Sequence, residues 1–291
     1  MKVLKWLGIA LASVVALVVV AAGALYLIGG SRMEGPSDLP PESITAADIS
    51  ELGRGAHIAR THGCLECHAP QLEGQVLVDA PPFRVVASNL TSGRGGVAPR
   101  MDALGWERAI RHGVGPDGRG LAIMPSEMYA HMSDDEVAAL IAWLEALPPV
   151  DNELPPTVIR PLGRIIAGTG GFQPTSAMID HTRPHPATAP PAAPTVEYGR
   201  HRAATLCAGC HGPDLAGMQP PDPSSPYAPS LHLSGNWTLD QFTTALRTGR
   251  TPARQLDSLA MPWTITRHLE DVEIEGLHLY VKELAGRDSS M

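Results

Sequence analysis

The longest apolar stretch of the chain comes first. Leu7 to Ile28 is an uncharged, mostly aliphatic run of 22 residues, preceded by Lys2 and Lys5. As a helix rising about 1.5 Å per residue it would extend about 33 Å, enough to cross a bilayer core. It predicts a signal anchor over residues 1–32. Lysines on the N-terminal side orient that end to the cytoplasm and the rest of the chain to the opposite side. Ala22-Gly23-Ala24 resembles a signal-peptidase site, which makes cleavage the alternative. The run continues through Leu25 to Ile28, longer than an ordinary signal core, and this favours retention. Beyond the anchor, apolar residues recur at helical rather than alternating spacing. Val137, Leu140, Ile141, Leu144 and Leu147 follow the capping-box pattern Ser133-Asp-Asp-Glu136 and end at Pro148. Ile274, Leu277, Val281 and Leu284 follow an acidic first turn at Glu270-Asp-Val-Glu273 that suits a helix dipole, with Gly286 beyond them. The patterning predicts an all-α protein.

These two helices close two copies of a longer repeat. Arg54-Gly55 matches Tyr198-Gly199, Arg111-His-Gly113 matches Arg247-Thr-Gly249, and Met124-Pro125 matches Met261-Pro262. From the methionine onward the register has no gaps: Glu136 matches Glu273, Leu140 matches Leu277, Trp143 matches Tyr280 and Leu147 matches Leu284. Self-similarity of this length marks a duplicated domain. The predicted organisation is an anchor (1–32), a spacer (33–50), a first domain (51–150), a proline-rich linker (151–194) and a second domain (195–291). Gly55 and Gly199 are expected to let the opening helix of each domain approach the closing one, with Trp143 and Tyr280 packed across it. In the linker, the polyproline-like end His185 to Pro194 predicts extended chain. Residues 160–170 are apolar enough to cover the edge of a bound prosthetic group or a domain interface.

The chemistry lies in the cysteines. All four fall in two C-x-x-C-H motifs, Cys64-Leu-Glu-Cys67-His68 and Cys207-Ala-Gly-Cys210-His211. Two thiols one helical turn apart can add to the two vinyl groups of one porphyrin, and the following histidine is then held beneath the iron. A zinc site, a redox-active dithiol and a structural disulfide are the competing readings. Zinc needs a further ligand cluster, and a thioredoxin-like pair needs a βαβ pattern that the sequence lacks.

With the opening helix, the haem motif, the methionine loop and the closing helix, each repeat resembles a class I cytochrome c domain, over roughly 51–150 and 195–287. The pattern around Ser88-Asn89-Leu90-Thr91, Arg111-His-Gly and Met124-Pro125 is similar to the membrane-anchored multi-haem cytochrome subunits of bacterial dehydrogenases. Those usually carry three motifs; this chain has two. The resemblance implies two tandem cytochrome c domains behind one transmembrane helix, and two covalently bound haem c. Cys64, Cys67, His68, Cys207, Cys210 and His211 are the expected attachment and proximal residues.

Met124 and Met261, each 19 residues ahead of the matched aromatic of its closing helix, are the expected sixth ligands. Met101, Met128 and Met132 are the alternatives in the first domain, and Met218 in the second. Arg111 and Arg247 are candidates to bind haem propionates, against a purely structural role at a helix C-terminus. Pro82 and Pro229 are expected to offer the carbonyls that orient the two haem histidines. Of the ten other histidines, His57, His62, His201, His268 and His278 are expected on solvated helix faces; His181 and His185 lie in the linker.

Charge narrows the partners. Three of the 22 basic residues, Lys2, Lys5 and Arg32, belong to the anchor, so 19 stand against 30 acidic ones outside it. Such a surface disfavours nucleic acid and favours a redox protein or dehydrogenase complex with a basic docking face. The expectation is a non-enzymatic electron relay on the periplasmic side of a bacterial inner membrane. The alternatives are a di-haem peroxidase-like enzyme or a haem-based sensor, either of which needs one open iron.

Overall fold

The computed structural model describes residues 2–40, 44–220 and 225–288. Parts of the expected spacer (41–43) and of the expected second domain (221–224 and 289–291) lie outside them. Helix α1, Lys2–Arg32, carries the apolar run. The first repeat consists of α2 (Leu52–Thr61), α3 (Cys64–His68), α4 (Ala103–His112), α5 (Ser126–Tyr129) and α6 (Asp134–Glu145). Then α7 (Pro161–Gly168) lies in the linker, and α8 (Val196–Leu206), α9 (Ala208–His211), α10 (Leu239–Thr248), α11 (Trp263–Thr266) and α12 (Asp271–Asp288) repeat the order.

One departure from the all-helical expectation is a small antiparallel sheet, β1 (Gln75–Ala80), β2 (Phe83–Ala87) and β3 (Val158–Ile159). Its strands are rich in β-branched residues around the Pro81-Pro82 turn. Asp79 ties them together by pairing with Arg84 at 3.2 Å and with Arg160 at 2.6 Å. The fold remains mostly helical.

Each domain is built on a crossing of its opening and closing helices. A Cβ at Gly55 would stand 2.2 Å from the Ala139 carbonyl oxygen, and one at Gly199 would stand 1.9 Å from that of Gly276. Only glycine permits so close a backbone approach. Gly199→Ala is therefore expected to cost about 1–3 kcal/mol by forcing α8 off α12. Gly53→Ala, where a Cβ meets nothing within 4 Å, is the neutral control, and thermal unfolding of both variants reads the difference. Equal midpoints would refute the close-packing account. The flanking cores are Ile58, Trp106, Ile110, Met132, Leu140 and Leu144 in one domain, and Phe242, Leu246, Leu277, Tyr280 and Val281 in the other.

The domains meet through an exchange of matched residues. His57 on α2 reaches Glu273 on α12 at 2.8 Å, and its repeat-mate His201 on α8 reaches Glu136 on α6 at the same 2.8 Å. Reciprocity of this kind is the signature of a two-fold interface. Where the first domain has Ile58, the second has Arg202, which inserts between the two carboxylates, 2.8 Å from Glu273 and 3.6 Å from Glu136. Both glutamates also cap their own helices, accepting from the backbone N–H of Ser133 and of Glu270. Burial works against ionisation of Glu136, but the His201 hydrogen bond and the nearby charges of His201 and Arg202 outweigh it and hold the carboxyl well below its usual range.

These contacts correct the reading of the histidines. His57 and His201 are interdomain ligands of glutamate, not solvated side chains. His62 is buried under Tyr129, its pKa pushed down to about 4 by burial and the Arg202 charge. His278 is buried and bonded to the Trp237 carbonyl at 2.9 Å. Of the five, His268 alone is exposed. The linker, too, is bound rather than free. Pro186 and Ala187 carbonyls accept from Asp134 and Asp135 at the head of α6, and His181 meets His112 with 2.9 Å between their Nδ1 atoms. Within residues 160–170, Pro161–Gly168 form α7, which packs on the C-terminal end of α1.

Candidate functional site

Both C-x-x-C-H segments form short helices entered from the opening helix. Gly63, at φ +75°, makes the turn into α3. After each motif the chain folds identically. Gly74 N–H donates to the His68 carbonyl and Gly217 N–H to that of His211, while Leu72 and Leu215 both take positive φ, 59° and 54°. Leu90 and Leu231 then donate to the Leu72 and Leu215 carbonyls at 2.8 and 2.9 Å. Two residues ahead of those leucines lie the carbonyls that orient the histidines: His68 Nδ1 donates to Ser88 O and His211 Nδ1 to Pro229 O, each at 2.7 Å.

Pro229 is thus as expected, but Pro82 is not the partner of His68. Its carbonyl sits in the β1–β2 turn and accepts from Arg160 N–H at 2.9 Å. The inserted sheet displaces the equivalent position to Ser88. The repeated Leu-x-Gly at 72–74 and 215–217, with the later leucines 90 and 231, was the signal that locates it. Because a carbonyl can only accept, each ring carries its proton on Nδ1 and leaves Nε2 with a free pair for a metal. Burial lowers the pKa of both histidines and so favours that neutral form, although the carbonyl bonds act the other way.

The cysteines do not suit dithiol chemistry. Burial pushes the Cys64 and Cys207 thiols up to about 12, whereas a redox-active pair needs a depressed thiol pKa. Among the described residues, no group of three or more His, Cys, Asp or Glu side chains converges as a metal cluster.

A single cavity of about 1710 Å³ is lined by both motifs, Cys64, Cys67, His68, Cys207, Cys210 and His211, and by Met124 and Met261. Core residues Leu140, Leu144, Leu277 and Val281 form part of its wall. The methionines occupy equivalent turns, with Ser126 N–H donating to the Met124 carbonyl at 2.8 Å and Trp263 N–H to that of Met261 at 2.7 Å. Of the alternatives, Met101, Met128 and Met132 line the same cavity, Met132 with no exposed surface. Met128 points across the interface, so that a Cβ on Gly209 would lie 2.2 Å from its sulfur. Its repeat-mate Ile265 reaches back to Gly63, 2.8 Å from a Cβ there. Each methionine loop therefore packs on the other domain's haem motif.

Arg111 and Arg247 are not part of this cavity. Arg111 is fully buried, with Nη1 3.1 Å from Glu107 and Nη2 bonded to the Met132 carbonyl and Asp134 at 2.9 and 2.8 Å. Arg247 makes the matching contact to Asp271 at 2.5 Å. Both fasten the end of one helix to the start of the closing helix, which is the structural role at a helix terminus rather than propionate binding. The cations that do line the cavity are Arg100, Arg119, Arg164 and Arg254; nothing periodic in the sequence singles them out.

Histidines poised through Nδ1, paired cysteines and a largely apolar cavity walled by both cores define a protein that carries two covalent haems. The chain belongs to the cytochrome c family, whose profile matches it twice, at residues 52–148 and 196–285. It is 25% identical to the fructose dehydrogenase cytochrome subunit of Gluconobacter japonicus over 91% of this chain and 58% of that protein. It is 26% identical to the gluconate 2-dehydrogenase cytochrome c subunit of Pantoea cypripedii over 84% of this chain and 62% of that protein. A diheme cytochrome c-type protein of Cereibacter sphaeroides is 30% identical over 76% of this chain and 78% of its own length. The chain thus spans about three-fifths of the dehydrogenase subunits. It is a cytochrome c with two haem c groups.

Proposed function

We propose that this cytochrome is tethered to the bacterial inner membrane by α1 and relays single electrons on the periplasmic side, from a dehydrogenase or respiratory partner to an acceptor, without turning over a substrate itself. The observation that carries the reading is the pair of matched haem motifs and Met-Pro turns opening on one cavity. Cys64 and Cys67, and Cys207 and Cys210, hold the haems as thioethers. His68 and His211 would ligate the two irons, and Met124 and Met261 would supply the remaining ligands. Haem c supplies one-electron chemistry. The protein's part is to fix the ligands, exclude water and keep the two sites together in one body through the His–Glu exchange and the crossed Met128 and Ile265 contacts. The dehydrogenase cytochrome subunits among the relatives support a dehydrogenase as the partner, and the acidic exterior supports a basic face on it.

The ligand assignment separates a relay from a peroxidase or a sensor. Met124→Ala and Met261→Ala should each abolish one share of the near-infrared methionine-to-ferric band and lower one midpoint potential, since His/Met ligation raises potential. Unchanged spectra would move the ligand elsewhere, and ready binding of carbon monoxide by the wild type would favour an open iron. Reduction by the native partner should slow as salt rises.

A further inference from the structure

We propose that α7 is a second membrane-contacting element: its outward face lies in the interfacial layer of the bilayer beside α1, so that the first haem domain is seated on the membrane instead of hanging from a flexible stalk. This rests on the reading of α1 as a retained anchor. Helix α1 is 31 residues long, about 46 Å at 1.5 Å per residue, against a hydrocarbon core of about 30 Å. Its last turns therefore emerge into the headgroup region, and those are the turns that α7 covers.

The contact is intimate and mutual. A Cβ on Gly29 would fall 1.7 Å from the Arg164 carbonyl oxygen, and one on Gly168 would fall 2.1 Å from that of Leu25. Small residues that let backbones touch are how helices associate in and at a membrane. Arg32 closes the joint by donating through Nη1 to the Ala167 and Gly168 carbonyls at 2.9 and 3.0 Å, capping α7. Gly168 meets both Leu25 and Gly29, and Arg32 reaches the Ala167 and Gly168 carbonyls, so the C-terminal turn of α7 lies against α1 between Leu25 and Arg32, where the apolar run ends.

With Gly163 against Pro82 and Ile159, and Arg164 and Gly168 against α1, Leu162, Ile165 and Ile166 remain at helical spacing. Leu162 is 49% exposed. Because α7 packs directly on the end of the one described helix long and apolar enough to cross a membrane, the occupant of this face is the bilayer that α1 enters. Arg164 sits 5.0 Å over the Tyr26 ring, and an aromatic and a cation at one level are the residues that mark a membrane–water boundary. The cavity wall includes Leu27, Gly30 and Ser31 of α1 and Arg164 of α7. Seating α7 in the interface therefore sets the cavity's first-domain side at the bilayer surface.

Thiol labelling of the full-length holoprotein in nanodiscs of mixed phosphatidylcholine and phosphatidylglycerol tests this. The four native cysteines are consumed as thioethers, so an introduced cysteine reports alone. Leu162→Cys should react with a membrane-impermeant maleimide at least roughly tenfold more slowly than Leu259→Cys, because a thiol in apolar surroundings is a poor thiolate; Leu259 is 95% exposed in the second domain. Adding Gly168→Leu, which pries α7 off α1, should restore fast labelling at position 162 while both haem spectra persist. Equal rates at 162 and 259, or protection that survives Gly168→Leu with the haem spectra intact, would overturn the proposal. Protein that fails to co-elute with nanodiscs would overturn it through the anchor, leaving the electron-relay reading to its own spectra.

Discussion

Serine at positions 64 and 67 is expected to remove one haem of the two and to unfold most of the first domain while the second stays intact. The first core is not closed on itself: Met132, Trp106, Ile110, Leu140 and Leu144 all face the common cavity. Without the haem these apolar side chains would line an open, water-filled cleft and forfeit burial worth about 1.5–3 kcal/mol each, against the roughly 5–15 kcal/mol that stabilises a whole domain. Without its prosthetic group this part of the chain has no reason to hold its shape. Intact mass together with haem-stained gels should show one haem per chain, and hydrogen exchange should rise over α2 and α6 but not over α8 and α12. Retention of both haems would remove the attachment assignment.

The second large effect is expected at Arg202. Its guanidinium is buried between Glu136 and Glu273, so Arg202→Met leaves two buried carboxylates short of a counter-charge. Breaking such a pair from one side costs about 3–5 kcal/mol. Removing a carboxylate as well, in Arg202→Met with Glu273→Gln, should recover part of the loss, because the penalty belongs to the stranded charge. Urea unfolding at neutral pH measures both, and a single-variant cost below about 1 kcal/mol would mean that the pair behaves as a surface contact. Acid provides an independent check. Glu136 and Glu273 have folded pKa values below their unfolded ones, so their stabilisation is present above an unfolded pKa of about 4.3 and is lost as pH falls from there through the folded values. The wild-type interface should therefore weaken below that point, and Glu136→Gln should flatten this dependence.

Much of this could be read from the sequence, for reasons of local chemistry. C-x-x-C-H places its three functional groups within one turn of helix, so the motif is its own geometry. The matched Met-Pro turns, the capping box at Ser133 and the apolar stripes of α6 and α12 are likewise set by spacing along the chain. The Gly55 and Gly199 crossings followed from the repeat, since a glycine kept nine and eight residues ahead of the two haem motifs implies a helix that must come close.

What spacing could not supply was the identity of partners from distant segments. Arg111 looked like a propionate ligand because it recurs. It recurs because both domains need a tie between α4 or α10 and the closing helix, and repetition preserves structural roles as faithfully as functional ones. His57 and His201 looked like solvated helix positions within one domain, but a second copy folded against the first turns each outward face into an interface. The carbonyl for His68 moved from Pro82 to Ser88 because a three-stranded insertion has no counterpart in the second repeat. Residues 160–170 showed their apolar character in the sequence, yet only the fold brings Gly168 to Leu25. Sequence alone determined the haem motifs, the duplication and the closing helices, because each is encoded within a few turns of chain. The tertiary structure alone decided which faces meet, because contacts between segments up to 216 residues apart depend on how the two domains and the anchor pack.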